Sequence, residues 1–477
     1  VIRTEIELAQ GFVRAHGADL RYSDGRWYRY DGLRWAPDQL ETMRERVQAS
    51  VMAEVVAAAQ ANDSPMLKFA VSEATARGAR SILDLARSHP SIATAPTAWD
   101  PDPYLLNIRS GTLDLRTGSL DQHDRKHLIT KLADVAFDAN ATRPKFDAFL
   151  AEILPDPEVR GYVQRWVGYC CSGVIREHTL PIFFGAGANG KSTLFELIAA
   201  LLGDYSAAMP DGFLAEKRNE SHPTEIARLR GVRLALSTET RDGCALDEAK
   251  VKRLCGGDRL TGRVMRGDFF DFDPSAKFGL MTNHRPKLRG TDEGLRRRVN
   301  LIPFTVTVPP ERRNPMLREE ILATESSGVL NWILQGCAEW YQRGERLEPP
   351  EAVKVATADY HTSEDTFARF LAEACELRDP AERPIRVQVK PTELFRAYAE
   401  WLADNGEKLT GTQRSVAERL ASMGYVSVKG AKGARFYIGV GLVGGAGGGP
   451  PVSAPTRAYE IQPSSAPPAP PGDLFPC

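Results

Sequence analysis

The chain has 477 residues, 26% of them charged and 42% hydrophobic, and 61 Lys+Arg against 62 Asp+Glu leave a formal net charge of −1. That length supports two to four domains, and the near-neutral balance excludes a global basic field, so any nucleic-acid contact must come from local patches or an assembly. No apolar run approaches the roughly eighteen residues of a membrane span and no signal peptide opens the chain, so a cytoplasmic protein without a membrane partner is expected; its seven cysteines lack CxxC or zinc spacing and read as buried thiols.

The first 140 residues mix strands and helices. Residues Arg26 to Trp35 read as a hairpin turning at Asp31-Gly32, with aromatics on both arms. Aromatics beside arginines could stack on bases, but one hairpin face has to be buried, and a small aromatic core is the preferred reading. An alanine-rich helical stretch runs from about Gln39 to Ala61, and Gly111 to Leu120 is a second hairpin turning at Thr117-Gly118. Helical periodicity then dominates from Phe146 to Val174, which predicts a helical collar over 141–178.

The next stretch carries the strongest chemical signal. Gly185, Ala186, Gly187, Ala188, Asn189, Gly190, Lys191 and Ser192 match GxxxxGKS, followed by Thr193. Glycines let successive backbone N–H groups turn into one concavity around a β-phosphate; the lysine reaches the β/γ-phosphates and the serine hydroxyl ligates Mg2+. An apolar strand-type run, Leu180 to Phe184, precedes the loop, and Leu194, Leu197, Ile198 and Leu201 follow at helical spacing. That order sets a helix N-terminus against the phosphates of a nucleoside triphosphate.

A second apolar strand, Val232 to Ser237, ends in Thr238-Glu239. A carboxylate there, on a strand taken to lie beside the loop strand, can reach Mg2+ and polarise a water. Between Val251 and Phe270 a basic helix-like stretch leads into a hairpin turning near Arg266-Gly267-Asp268, with Arg266 at its tip. A third strand, Lys277 to Thr282, ends in Asn283, an amide able to orient a γ-phosphate, although asparagine is equally at home in a turn. Arg296-Arg297-Arg298 precedes a fourth strand, Val299 to Phe304. An arginine aimed at a neighbouring subunit would stabilise transition-state charge, whereas a solvated patch is the plainer account of such a triplet.

Beyond Pro349 the pattern changes. Amphipathic helices are predicted at 392–404 and 412–423, followed by strands at 425–428 and 435–438 around a basic turn. Helix, helix and basic hairpin suggest a winged-helix module over 360–440, whose wing residues Lys429, Lys432 and Arg435 could lie on a phosphate backbone or simply face solvent. From 441 to 477 the chain is Gly/Pro/Ala/Ser-rich and reads as a disordered tail.

Taken as an ordered set, GAGANGKST, RLALSTET, VKRLCGGD with the following Arg263, KFGLMTNHRP and DEGLRRRVNLIPF resemble the superfamily-three helicases. More narrowly, the set is similar to the phage/plasmid primase–helicase family, whose motor is also like that of the poxvirus primase–helicase. NIRSGTLDLRTGSLDQHD and the helical block ending in WVGYCCSGV extend the likeness over residues 20 to 310. The fold this implies is α/β: a P-loop NTPase (AAA+-like) motor over 179–350, an α/β N-terminal domain, the helical collar and the winged-helix-like end.

The resemblance further implies ATP and Mg2+ as cofactors, with Lys191 and Ser192 in the phosphate loop. It implies Glu239 as the Mg2+- and water-directing carboxylate, Asn283 as a sensor and Arg297 as the arginine finger, with Arg298 the alternative. Lys252, Asp258, Arg263 and Arg266 would belong to a DNA-tracking segment whose hairpin tips line the hole of a homo-hexameric ring moving 3′ to 5′ on single-stranded DNA. Two departures stand out: Thr238 occupies a position that is acidic in many such motors, and no acidic cluster with zinc-type cysteines is present to build a primase. The expected activity is therefore ATP-driven unwinding of forked DNA in the replication of a phage, plasmid or other mobile element, with primer synthesis left to a separate primase or polymerase. A non-translocating switch ATPase or initiator is the main alternative, and a small-molecule kinase a third.

Overall fold

Five apolar segments pair into a parallel sheet in the computed structural model, which describes residues 4–443 apart from 217–222, 240–242, 266, 289–292, 383, 385–386, 408, 410 and 431–432. The spatial order is Val299–Pro303, Leu180–Phe184, Lys277–Thr282, Leu234–Glu239, Ser206–Ala208. Every neighbouring pair is parallel. Both faces are covered, as a parallel sheet requires. Phe183, Leu234, Leu236 and Ile302 face one core with helices Pro144–Ile153 and Pro157–Cys170, while Ile182, Ala235, Phe278, Leu280 and Leu301 face a second core with Val251 and Leu254. The period-two alternation of these residues lies hidden within uniformly apolar runs.

One expectation is corrected by this order. The Glu239 strand does not lie beside the loop strand; Lys277–Thr282 is inserted between them, registering Leu280 against Ile182 on one side and Thr282 against Glu239 on the other. Strand adjacency is a long-range choice that apolar runs of similar composition do not encode locally. The strand itself is also displaced by two residues, spanning Leu234–Glu239 and so including Glu239.

The chain divides into two compact units, 1–364 and 365–477. In the first, the Glu5–His16 helix opens with a capping box between Thr4 and Glu7 and packs with Thr42–Gln60 and Ala76–Ala86 through Phe12, Val47 and Ile82. The expected hairpin forms, Arg26–Tyr30 with Trp35–Pro37, and Leu20–Ser23 adds a third strand. Its aromatics serve packing: Trp35 is fully buried and Tyr22 meets Trp27 edge-on. The second hairpin, Gly111–Asp114 with Ser119–Asp121, also gains a third strand, Leu105–Ile108. Cys170, Cys171, Cys255, Cys337 and Cys375 are buried and without disulfides. No described helix is long and apolar enough to cross a membrane.

In the 365–443 part, helices Thr366–Ala374, Pro391–Asp404 and Gln413–Ser422 pack on a small sheet through Phe370, Leu394, Leu420 and Tyr437. Val440–Leu442 forms a strand paired with Cys375–Leu377. Ordered structure thus continues past residue 441, where the glycine-rich composition suggested a tail, because main-chain pairing needs no side-chain pattern.

Helices Pro157–Cys170 and Ser326–Gln342 cross at two glycines. A Cβ on Gly168 would overlap the Gly336–Cys337 backbone, and one on Gly336 would overlap the Gln164 carbonyl. Gly168→Ala and Gly336→Ala are therefore each expected to cost about 1–3 kcal/mol through overpacking. Gly161→Ala meets only the flexible Arg165 guanidinium, at 3.3 Å, and is expected to add roughly 0.5–1 kcal/mol. Urea midpoints by circular dichroism check this; a Gly168→Ala midpoint at or above wild type overturns it.

Candidate functional site

The Leu180–Phe184 and Lys277–Thr282 strands are neighbours, yet their connections leave in opposite directions, one toward the Ser206–Ala208 edge and the other back to Val299–Pro303. Such a divergence opens a crevice at the carboxyl ends of the strands. The glycine loop and Asn283 both emerge there.

The loop has a demanding backbone. Gly187 and Gly190 lie at φ +95° and +76°, and Ala188 is a non-glycine at +48°. A Cβ on Gly185 would overlap the Phe304 carbonyl, and one on Gly190 would sit 2.5 Å from Ile153, at the end of the Pro144–Ile153 helix. Val308 N–H donates to the Ala188 carbonyl at 2.8 Å, tying the loop to the segment beyond the edge strand. Gly190 caps the Lys191–Leu202 helix without a side-chain hydrogen bond. The first-turn N–H groups around exposed Ser192 and half-buried Thr193 are thus left for an anion, which the helix dipole also favours.

Lys191 is 5% exposed. Its ammonium donates to Gly185 O at 2.7 Å, Asn189 Oδ1 at 3.0 Å and Asn283 Oδ1 at 3.2 Å. All three acceptors are neutral, and burial lowers the Lys191 pKa to about 8. Asn189 is itself buried, and its Nδ2 has no partner among the described residues. A buried ammonium on neutral oxygens is an incomplete arrangement, and a phosphate oxygen would complete it.

Glu239 ends its strand level with Thr282, so its backbone shares the crevice end of the sheet with Asn283. The preceding Thr238 hydroxyl donates to Asp211 Oδ1 at 2.7 Å. Asp211 escaped the sequence reading because it is brought alongside only by the pairing of Ser206–Ala208 with Leu234–Leu236; its local context, a Pro-Asp-Gly turn, gave no catalytic signal.

The arginine triplet lies at the other end of the sheet. Leu180 N–H donates to Arg298 O at 2.6 Å, so the triplet flanks the start of the strands whose ends carry the loop. Five strand residues place it roughly 16 Å away. Arg297 is exposed; Arg298 is half-buried and its guanidinium donates to Gly294 O at 2.5 Å. Of the remaining candidates for DNA contact, Lys252 is half-buried on the Glu248–Cys255 helix, while the acidic Asp258 and the basic Arg263 are exposed. Lys429 and Arg435 are exposed and directly opposed across an antiparallel pair. Arg266 and Lys432 lie outside the described residues.

Residues 9–155 match a family model described as D5 N terminal like, and residues 183–298 match a family of unknown function (DUF5906). The chain is 26% identical over 326 residues to the candidate helicase L207/L206 of Acanthamoeba polyphaga mimivirus, and 22% identical over 329 residues to the candidate primase C962R of African swine fever virus. Each alignment covers 64% of this chain and 34% of the relative, so the chain spans about a third of the length of these curated relatives. Invertebrate iridescent virus 6 contributes the candidate helicase 184R, 28% identical over 220 residues, 44% of this chain and 23% of the relative. The apo structure of the NrS-1 C terminal region (305–718) shares the fold, with a TM-score of 0.52 at 11% identity over 92% of this chain and 100% of that one.

The depressed Lys191 pKa has a consequence for ligand affinity. An anion is held by the charged ammonium, which loses its proton as pH rises through about 8. Affinity of this site for a phosphate-bearing nucleotide is therefore expected to be full below pH 8 and to fall above it, approaching tenfold per pH unit. Fluorescent-nucleotide titrations from pH 6.5 to 9.5 measure this, with Lys191→Met as the control that retains only the ligand's own titration. Equal slopes in the two proteins would overturn the assignment.

Proposed function

We propose, taking as premise that the chain is a relative of the phage and viral primase–helicases, that it is an ATP-driven DNA helicase of a viral, phage or plasmid replication system. In this reading Gly185 to Ser192 is a P-loop for Mg2+-ATP, with Thr193 behind it. Lys191 neutralises the β/γ-phosphates, Ser192 and Glu239 hold Mg2+, and Glu239 also directs the attacking water. Asn283 is the γ-phosphate sensor, and it already shares a hydrogen bond with Lys191 at 3.2 Å.

The observation that carries the reading furthest is the position of Arg297. It is exposed at the end of the sheet opposite its own loop. An arginine there cannot complete the site it belongs to, but it can complete a neighbour's. The functional unit is then a closed homo-oligomer, a hexamer by resemblance, with each site shared between two chains. Arg263, Arg266 and Lys252 face single-stranded DNA in the ring, and the 365–443 unit acts as a winged helix whose wing, Lys429 to Arg435, lies on the DNA backbone. Translocation converts hydrolysis into unwinding of forked DNA, and primer synthesis falls to another protein or segment.

Shared sites make a sharp test. Lys191→Ala and Arg297→Ala are each expected to reduce single-strand-stimulated ATPase by at least about a thousandfold. Mixed in equal amounts, the two variants should recover measurable activity, because some interfaces then pair an intact loop with an intact arginine. Absence of recovery, or near wild-type hydrolysis by Arg297→Ala alone, would remove Arg297 from the shared site. Normal hydrolysis without strand displacement on a fork would favour the non-translocating initiator instead.

A further inference from the structure

The hairpin that precedes the Lys277–Thr282 strand carries an aromatic residue where its pattern calls for a polar one. Leu260–Arg263 pairs with Phe269–Phe272, with Leu260 opposite Phe272, Thr261 opposite Asp271, Gly262 opposite Phe270 and Arg263 opposite Phe269. One face is the packing face: Leu260, Gly262 and Phe272 are buried. On this face Phe270 lies 5.8 Å from the Phe272 ring and is covered by the Arg230 guanidinium at 5.2 Å. Arg230 is in turn anchored by Asp24 at 2.5 Å and the Pro96 carbonyl at 3.1 Å. The base of the hairpin is thus held from two sides.

Along the outer face come Thr261, Arg263, Phe269 and Asp271, all exposed, with the Thr261 hydroxyl bonded to Asp271 at 2.6 Å. Phe269 is 60% exposed there. In the adjoining turn Met265 is 78% and Val264 39% exposed. Strand alternation predicts polar residues at all these positions, and no core needs Phe269 where it stands. Its only ring partner among the described residues is the Arg263 guanidinium, 5.0 Å from the centroid, which is fixed by a 2.9 Å bond to Gly267 O. A guanidinium held over an exposed phenyl ring pairs a phosphate-seeking cation with a flat apolar surface. That is the combination that grips an unstacked base and its backbone together.

We propose that Phe269 is a base-stacking residue for single-stranded DNA, with Met265 extending the apolar surface and Arg263 engaging the adjacent phosphate. This deepens the proposed helicase function and rests on the chain binding single strands. It changes the expected contact from backbone tracking alone to one that requires bases. The two kinds of contact respond differently to salt and to base removal: phosphate contacts set the salt slope, whereas stacking depends on the base and is almost salt-independent.

The test compares the full chain with ATP bound to a twenty-nucleotide oligo-dT and to an abasic oligomer of the same length, by fluorescence anisotropy across a salt series. Wild type should prefer the base-bearing strand by about tenfold. Phe269→Ala should bring the two affinities to parity with an unchanged salt slope, and Phe269→Trp should restore the preference. Arg263→Ala should keep the preference and lower the slope by about one. The proposal is overturned if Phe269→Ala retains the preference, or if it weakens both strands equally while Phe269→Trp fails to rescue. A wild-type chain that binds abasic and normal strands alike also removes the stacking role but leaves DNA binding intact; one that binds neither removes both.

Discussion

Two cations buried at the base of the parallel sheet hold the first unit together. Arg233, just before Leu234–Glu239, donates to the Cys171 carbonyl and, at 2.8 Å, to the Leu105 carbonyl. Lys277, the first residue of its strand, donates to the Ser172 carbonyl and, at 3.0 Å, to the Ser275 carbonyl, under the Tyr169 ring at 4.9 Å. Both are about 5% exposed or less. Their acceptors include the carbonyls at the end of the Pro157–Cys170 helix, where partial negative charge accumulates. One polar knot therefore joins the Leu105–Ile108 strand, the end of the Pro157–Cys170 helix and the parallel sheet. Burial still pushes Lys277 down to about 7, which marks how little of its charge the carbonyls offset. Removing either side chain would strand those carbonyls in an apolar core, a larger loss than a hydrogen bond itself.

With the base fixed, the opposite end of the sheet can afford an unsatisfied centre. Lys191 rests on three neutral oxygens, Asn189 Nδ2 has no partner among the described residues, and the Lys191–Leu202 helix starts without a side-chain cap. Each would be a defect in a structural region, and together they describe a cluster of polar groups that an anion would satisfy. The Pro144–Ile153 helix contributes directly, since Ile153 closes on Gly190 and leaves no room for a side chain there. Loop geometry is thus a product of packing as well as of glycine content.

Polarity along the sheet also separates the two kinds of charge. The loop lysine lies at the carboxyl ends and the arginine triplet at the amino ends. A single chain cannot bring them together without dismantling the sheet. The hairpin follows the same economy: its inner face is anchored through Arg230 and Phe270, which leaves the outer face with Phe269 presented to solvent.

Much was legible in local pattern. The Asp31-Gly32 and Thr117-Gly118 turns, the glycine loop between strand and helix, and the hairpin at Thr261 to Phe270 all rest on interactions within about ten residues, where backbone preference and side-chain period act alone. The neighbours of those elements were not legible. Nothing in Val232 to Glu239 says that Lys277–Thr282 will separate it from the loop strand, nothing near Asp211 points to Thr238, and nothing in glycine-rich 440–442 announces its pairing with Cys375–Leu377. By itself the sequence determined the local elements and the candidate residues that they present. Tertiary structure alone decided which of those residues meet, because strand order and packing are settled by contacts between segments far apart in the chain, whose apolar surfaces are too alike to name their partners in advance.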